Sequence, residues 1–435
     1  MIFRIVNRRA RAVLLGGSGF LAALLGFFAV RNAVAAHYLG LDTRRGYERA
    51  VRLEPHNPRN WYLLGRSYLY DLDQPDPVEA VYALRKSVEL DPYSAEAMLD
   101  LAIAYDSEGD PSAARRALVE AERVYPLSAD VAWSFGNFLL RQGQQQAAFA
   151  KLRKALELDP KRAPEAFTRA VQIDPDANVI LDQVIPAKAD CYLPILRILS
   201  DSRDMETAGL VWGRLTALQR KIPLREAVPF FDALIHEHRP EEAARLWPEA
   251  VALMENPPPA DPPGSLLWDG GFESGFAGGA FSWQFTPVNR DVQISFDRAE
   301  KRSGEQSLRV LFNGRENINF EDGCHQFVPE PGQHYRLTAW VKTQALTSSE
   351  GLRLEISAFT GAGVVSAQSR EIHGTEAWTE LALEWTAPGD SGFGKVCLRR
   401  KMSDMRGSDI QGAAWIDDVA MTPADASSGG TATAP

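Results

Sequence analysis

The residues that could perform chemistry are few, and their spacing argues against most of it. Gly389-Asp-Ser-Gly-Phe-Gly-Lys395 has the glycine and lysine spacing of a phosphate-binding loop. Such a loop needs Ser or Thr after the lysine, and a helix whose first amides hold the phosphates. Here Val396 follows, in a segment that reads as a strand. In His236-Glu237-His238 the histidines are too close in sequence to share one helical face. No Gly-x-Ser-x-Gly elbow occurs outside the rejected loop. Carboxylates abound, but the geometry of a glycosidase pair is tertiary and cannot be read from sequence. Cys191, Cys324 and Cys397 show no zinc-site spacing. The expectation is a protein that holds and binds, not an enzyme.

Composition narrows the partners. The 435 residues are 45% hydrophobic and 24% charged, as in ordinary globular protein, and are enough for two or three domains. A net charge of -10, without a Lys/Arg stripe beyond the N-terminus, argues against nucleic acid.

The elements that must position any binding residues change rhythm at residues 256–264, Asn256-Pro-Pro-Pro-Ala-Asp-Pro-Pro-Gly264. Before this stretch the chain has a helical period; after it, a period of two punctuated by Gly and aromatics. Residues 256–264 read as a short, semi-rigid proline-rich linker. At the N-terminus, Arg4, Arg8, Arg9 and Arg11 precede an uncharged run, residues 12–30, near the ~20 needed to span a bilayer. The basic flank places the N-terminus in the cytoplasm and the bulk outside it. Residues 1–35 are read as a retained single-pass anchor of a bacterial inner membrane. Ala33-Val34-Ala35 offers cleavage as the alternative.

Prolines end helices at Pro55, Pro92, Pro126 and Pro160; the last two intervals are 34 residues, and the first is three longer. Trp61, Leu64, Gly65 and Tyr68 occupy the large, large, small, large positions of a first helix. Leu101, Ala102 and Tyr105, then Phe135 and Gly136, recur in register. Small residues in second helices are Ala80 and Ser87, Ala114 and Ala121, Ala148 and Ala155. This resembles the tetratricopeptide repeat. Residues 38–255 are expected to form such an all-α solenoid, less regular after Pro160. The resemblance implies a groove for a protein partner lined by Arg59, Tyr62, Arg66, Leu99, Ile103, Trp133 and Asn137. These residues could equally be the exposed side of a spacer.

Residues 265–421 read as about ten short strands. Tyr335, Leu337, Ala339 and Val341 share one face, as do Leu308, Val310 and Phe312; Leu352, Leu354, Ile356 and Ala358; and Leu381, Leu383 and Trp385. An all-β jelly-roll sandwich follows. Leu267-Trp-Asp-Gly-Gly-Phe-Glu273, Ser303-Gly-Glu-Gln-Ser-Leu-Arg-Val310, Gln326 with Pro331-Gly-Gln-His-Tyr-Arg-Leu-Thr-Ala-Trp-Val-Lys342, and Trp415-Ile-Asp-Asp-Val419 come in this order. Together they resemble the jelly-roll carbohydrate-binding modules of the galactose-binding-like group. The resemblance implies a structural calcium ion at Glu273 and Asp418, near Ser303, and a glycan cleft on one sheet face. Strand alternation turns Trp340, Gln326 and Arg399 outward, and they are expected to share that face. Trp283, Asn319 and Phe320 are weaker candidates in loops near its rim. Alternation puts Cys324 and Cys397 on the same face, where they can pair if their strands are neighbours. The tail, residues 422–435, reads as disordered.

The whole reads as an anchored extracytoplasmic scaffold. Its repeats would bind a protein and its sandwich a polysaccharide, in surface polysaccharide assembly or export. The rival is a structural adaptor whose β-domain binds no sugar.

Overall fold

The computed structural model describes residues 8–286, 291–390, 392–404 and 409–424. Arg4 and residues 425–435 of the expected tail lie outside them. The chain divides into two compact units, Met1–Pro186 and Ala187–Pro435.

The first unit is helical: α1 (Arg8–Leu39), α2 (Arg44–Leu53), α3 (Pro58–Leu69), α4 (Pro77–Leu90), α5 (Ala95–Glu108), α6 (Pro111–Val124), α7 (Ala129–Arg141), α8 (Gln145–Leu158), α9 (Ala163–Val171) and α10 (Ala177–Gln183). Local chemistry fixes the helix starts. The side chains of Asn57, Asp76, Ser94, Asp110 and Ser128 accept first-turn N–H groups of α3 to α7. Proline begins α3, α4 and α6, where no N–H is needed. The repeat prolines fall just after α2, α4, α6 and α8, forcing the preceding residue out of the helical region. Packing explains the small residues. Ala80, Ala114, Ala121, Ala148 and Ala155 are fully buried. A Cβ at Gly65 would lie 2.5 Å from the Leu84 side chain, and one at Gly136 2.9 Å from Leu152. The paired helices touch too closely there for any side chain. Within α1, Arg11–Leu39 is long and apolar enough to cross a membrane.

Among the described residues, the second unit combines four helices, α11 (Ala189–Ser202), α12 (Met205–Ala217), α13 (Leu224–His236) and α14 (Pro240–Ala252), with nine strands. The strands are β1 (Val292–Asp297), β2 (Ser307–Asn313), β3 (Phe320–Phe327), β4 (His334–Leu346), β5 (Arg353–Thr360), β6 (Gly363–Gln368), β7 (Gly374–Thr386), β8 (Phe393–Arg400) and β9 (Gln411–Pro423). They form a five-stranded sheet, β1-β2-β9-β4-β7, and a four-stranded sheet, β3-β8-β5-β6, antiparallel throughout. The expected inward positions are the core: Leu308, Val310, Phe312, Tyr335, Leu337, Ala339, Val341, Leu354, Ile356, Ala358 and Leu381 are all nearly inaccessible.

Compactness does not divide the chain at residues 256–264. The helices α12 to α14 continue into the sandwich through a run of aromatic contacts, Trp212 to Phe230 (5.4 Å), Phe231 to Trp247 (5.1 Å), and Trp247 to Trp268 (5.6 Å) and Phe281 (5.8 Å). Asp232 of α13 accepts the Ala280 N–H at 2.6 Å. Asp261, inside the proline-rich stretch, accepts the N–H groups of Asp269 (2.8 Å) and Gly270 (2.9 Å). The stretch is therefore built into the second unit, not a spacer beside it.

Candidate functional site

The sandwich presents two outer faces, and sheet membership decides which candidates meet. Gln326 is on β3 and Arg399 on β8, both in the four-stranded sheet; Trp340 is on β4, in the five-stranded sheet. All three point away from the core, so Trp340 lies on the opposite side from the other two. The expectation of one shared face is wrong. Alternation along a strand gives inside or outside, but not which sheet the strand joins.

On the four-stranded face Gln326 is opposite Lys395, which is opposite Ser357; Glu321 is opposite Arg399. Lys395 Nζ is 2.5 Å from Glu321 and holds that carboxyl below the usual range. Arg399 Nε lies 3.9 Å from both Glu321 and Glu355, and its Nη1 donates to Asn319 (2.8 Å) and the Phe320 carbonyl (3.0 Å). Thus Arg399 and Asn319 meet directly, while Gln326 shares their face but is opposite Lys395, four residues along β8 from Arg399. Along the sheet, Phe359 and Phe393 stack at 5.9 Å and 24°, and Phe359 is 42% exposed. The Gln326 side-chain oxygen has no donor among the described residues. Cys324 and Cys397 form a disulfide on this face, joining β3 to β8. Both thiolates are thereby removed from the one three-residue metal-ligand grouping among the described residues, Glu321 with these cysteines.

Trp340 is partly buried, and the Arg302 guanidinium covers its ring at 4.0 Å. It is not an open platform. Trp283 is a core residue and not a rim residue. It is 4% exposed, packs on Phe272 (4.9 Å), and donates its indole N–H to the Asp269 carbonyl (2.9 Å). Phe320 likewise begins β3 and packs inside. An aromatic among glycines reads as a loop in sequence, but burial of these rings closes the end of the sandwich. His325, fully buried beside Trp283, was not singled out from sequence. Its Nε2 accepts the Trp268 N–H (3.1 Å), its Nδ1 faces the Gln326 carbonyl (2.7 Å), and burial pushes its pKa down to about 4.

Glu273 and Asp418 line one cavity of about 260 Å³, with Asp261, Asp269, Ser303 and Gly304. Glu273 Oε1 accepts the Glu305 N–H (2.8 Å), and Asp418 Oδ1 accepts the Ser303 hydroxyl (2.6 Å). Beneath them Asp417 accepts the Arg302 N–H (2.8 Å). Burial pushes Asp269 up to about 7 and Asp417 up to about 6. A Cβ at Gly304 would lie 1.9 Å from Glu273 Oε1, so only glycine leaves that carboxylate room. Among the described residues no basic side chain lines the cavity. The donors are all oxygens, the kind a hard divalent cation takes, and Asp261, Asp269, Glu273 and Asp418 each already accept a hydrogen bond from neighbouring N–H or O–H groups.

In the first unit, the groove candidates fall on the first helices of hairpins. Arg66 lies over Tyr62 (5.6 Å) and Tyr70 (5.3 Å), with its Nε 3.4 Å from Asp100; the Tyr70 hydroxyl donates to Asp100 at 2.7 Å. Burial, then the Asp100 charge, raises the Tyr62 hydroxyl to about 12. Farther along, Trp133 is flanked by Arg162 (5.4 Å) and Arg169 (5.5 Å), and Arg169 donates to Asn137 at 3.1 Å. Arg59 is exposed and Ile103 half-buried. Leu99 instead packs between repeats, against the cluster of Met98, Ala121 and Val131. Sequence reasoning missed Tyr70, Asp100 and Arg169. Tyr70 had a signal, since Tyr62, Arg66 and Tyr70 are four residues apart on one helical stripe.

Residues 99–178 match the tetratricopeptide repeat family. The peroxisomal targeting signal receptor of Saccharomyces cerevisiae is 27% identical over 219 residues, 48% of this chain; the chain covers 30% of that receptor's length. Among solved structures, MamA is 22% identical with a TM-score of 0.31, covering 36% of this chain and 89% of MamA. A family 16 carbohydrate-binding module is 15% identical with a TM-score of 0.27, covering 36% of this chain and 99% of the module. A xylan-binding family 22 domain is 17% identical with a TM-score of 0.24, covering 31% and 83%. The helical half thus carries tetratricopeptide-like repeats.

Proposed function

We propose that this protein is a membrane-anchored, extracytoplasmic scaffold whose repeats hold a protein partner and whose sandwich binds a glycan. Its setting is assembly or export of a surface polysaccharide, and its role is holding, not turnover. The observation that carries the glycan reading is the four-stranded face. There the stacked Phe359 and Phe393 supply an apolar platform, and Gln326, Lys395, Glu355 and Arg399 supply donors and acceptors for hydroxyls. Trp340 has no part in it. The Tyr62–Arg66–Tyr70–Asp100 and Trp133–Arg169–Asn137 groups are the proposed protein contacts. Glu273 and Asp418, with oxygens around Ser303, would hold a calcium ion that pins the first loop of the sandwich to β9.

A second reading has its own support. Lys395, Arg399, Glu321 and Glu355 already pair with one another, as in a face that serves only as structure. Calorimetric titration of the detergent-purified chain with neutral and acidic bacterial polysaccharides separates the two. Heat of binding lost in Arg399→Ala supports the glycan face; no binding to any polysaccharide leaves the adaptor. For the repeats, a pull-down from solubilised membranes should lose its partner in the Tyr62→Ala, Trp133→Ala double variant, and full retention would refute the groove.

A further inference from the structure

The apolar N-terminal helix can be a detachable leader or a part of the fold, and its C-terminal end distinguishes the two. The uncharged stretch, residues 12–30, is about 28 Å long as a helix. α1 does not stop there: it runs on unbroken to Leu39. The character of its surface changes over that last stretch. Ala35 is fully buried while Val34 beside it is 38% exposed. The Arg49 guanidinium of α2 lies over the Tyr38 ring at 5.1 Å. Leu39 packs against Tyr47, Val51 and Leu64. Gly46 of α2 approaches the Tyr38 carbonyl so closely that a Cβ would lie 2.4 Å from its oxygen.

The partner of this contact is a second helix by every mark that defines the later ones. α2 ends at Leu53 in Leu53-Glu54-Pro55, as α4 ends at Leu90 in Leu90-Asp91-Pro92 and α8 at Leu158 in Leu158-Asp159-Pro160. Ala50 is fully buried five residues before its proline; Ser87, Ala121 and Ala155 hold the same place before Pro92, Pro126 and Pro160 and are equally buried. A second helix buries its face only against a first helix. The only helix preceding α2 among the described residues is α1.

We infer that the membrane-spanning helix doubles, in its last turns, as the first helix of the first repeat, so the chain keeps it and the array begins at the membrane surface. This rests on the membrane reading above. Cleavage after Ala35 would remove the buried residue itself and leave residues 36–39, a single turn too short to hold a helix. Tyr47, Ala50 and Val51 of α2 would lose their cover.

The test is the full chain expressed in a Gram-negative host, with the membrane and soluble fractions analysed by intact mass and N-terminal sequencing. The expected result is a membrane-bound chain still carrying residues upstream of Arg31. A mature N-terminus at Ala36 overturns the inference. An intact chain in the soluble fraction overturns the membrane reading while upholding the retained helix. A paired measurement reads the packing directly: in detergent, Ala35→Leu should lower the melting temperature of the array by about 3–10 °C, the range expected for overpacking in a domain of this size. Val34→Leu should leave it within about 1 °C. Equal melting of both variants would overturn the proposed repeat packing.

Discussion

Replacing Phe359 by Ala tests the ligand face with the least disturbance to the fold, because the ring stands on the outside of β5 between the core residues Ala358 and Ile356 and the solvent. A phenylalanine side chain has roughly 200 Å² to bury. With 42% of Phe359 open, about 80 Å² remains for a sugar ring to cover. At about 25 cal/mol per Å², that contact contributes about 2 kcal/mol, or roughly a 30-fold change in Kd. The assay is calorimetric titration of the detergent-purified chain with its best polysaccharide ligand, run beside Trp340→Ala. Phe359→Ala should weaken binding about 30-fold. Trp340→Ala, on the other sheet and beneath Arg302, should leave it within about twofold. Unchanged affinity in Phe359→Ala, or a large loss in Trp340→Ala, refutes the choice of face.

Glycine packing gives a sign test. Gly65→Ala should destabilise by about 1–2 kcal/mol despite alanine's better helix propensity, because its Cβ meets Leu84. Gly213→Ala, with open space around it, should instead stabilise α12 by up to about 1 kcal/mol; urea unfolding reads both. For His325 the folded pKa is depressed, so the unfolded chain binds the extra proton between about 4 and 6.5, and stability falls as pH drops through that window. The loss should reach about 3 kcal/mol by pH 4, and His325→Gln should flatten it in a denaturation series. Calcium added to chelator-treated protein should raise the melting temperature at neutral pH, and Glu273→Gln with Asp418→Asn should abolish the shift. A fragment of residues 187–424 should unfold cooperatively. One of residues 265–424, deprived of Asp261 and Trp247, should melt at a lower temperature.

The repeat half was legible because its packing rule is local. A small residue at a fixed distance from a proline reports a close helix contact, and Ala80, Ala114 and Ala148 could be placed without knowing what they touch. Strand alternation was legible for the same reason: Tyr335, Leu337, Ala339 and Val341 face inward as read. What alternation cannot carry is sheet assignment. β3 and β4 are adjacent in sequence yet belong to different sheets, and that crossing moved Trp340 away from Gln326 and Arg399. The same crossing keeps the cysteines clear of Trp340. Phe359 had a usable signal, one step out of register from Ala358, but nothing in sequence paired it with Phe393 across β5 and β8. Asp261 misled for a different reason. A carboxylate capping amides eight and nine residues on looks, in sequence, like one more polar residue among prolines.

Two features far apart in the chain are what the extracytoplasmic location proposed above rests on, independently of each other. One is α1, whose apolar length matches a bilayer and whose Arg8, Arg9 and Arg11 precede the uncharged run, with Arg31 alone following it. The other is the Cys324–Cys397 disulfide, which persists in oxidising compartments and is rare where thiols are kept reduced. It lies on an outer sheet face and not inside a core, with Cys324 partly accessible, so a reducing environment could reach it. The third cysteine, Cys191, is fully buried in α11, out of reach of mispairing. One bonded pair, with Cys397 buried and Cys324 partly accessible, and one sheltered thiol is an arrangement that suits folding outside the cytoplasm without scrambling. The two strands the disulfide joins carry Gln326, Lys395 and Arg399, so the bond also keeps β3 and β8 in register beneath the polar groups of the proposed ligand face.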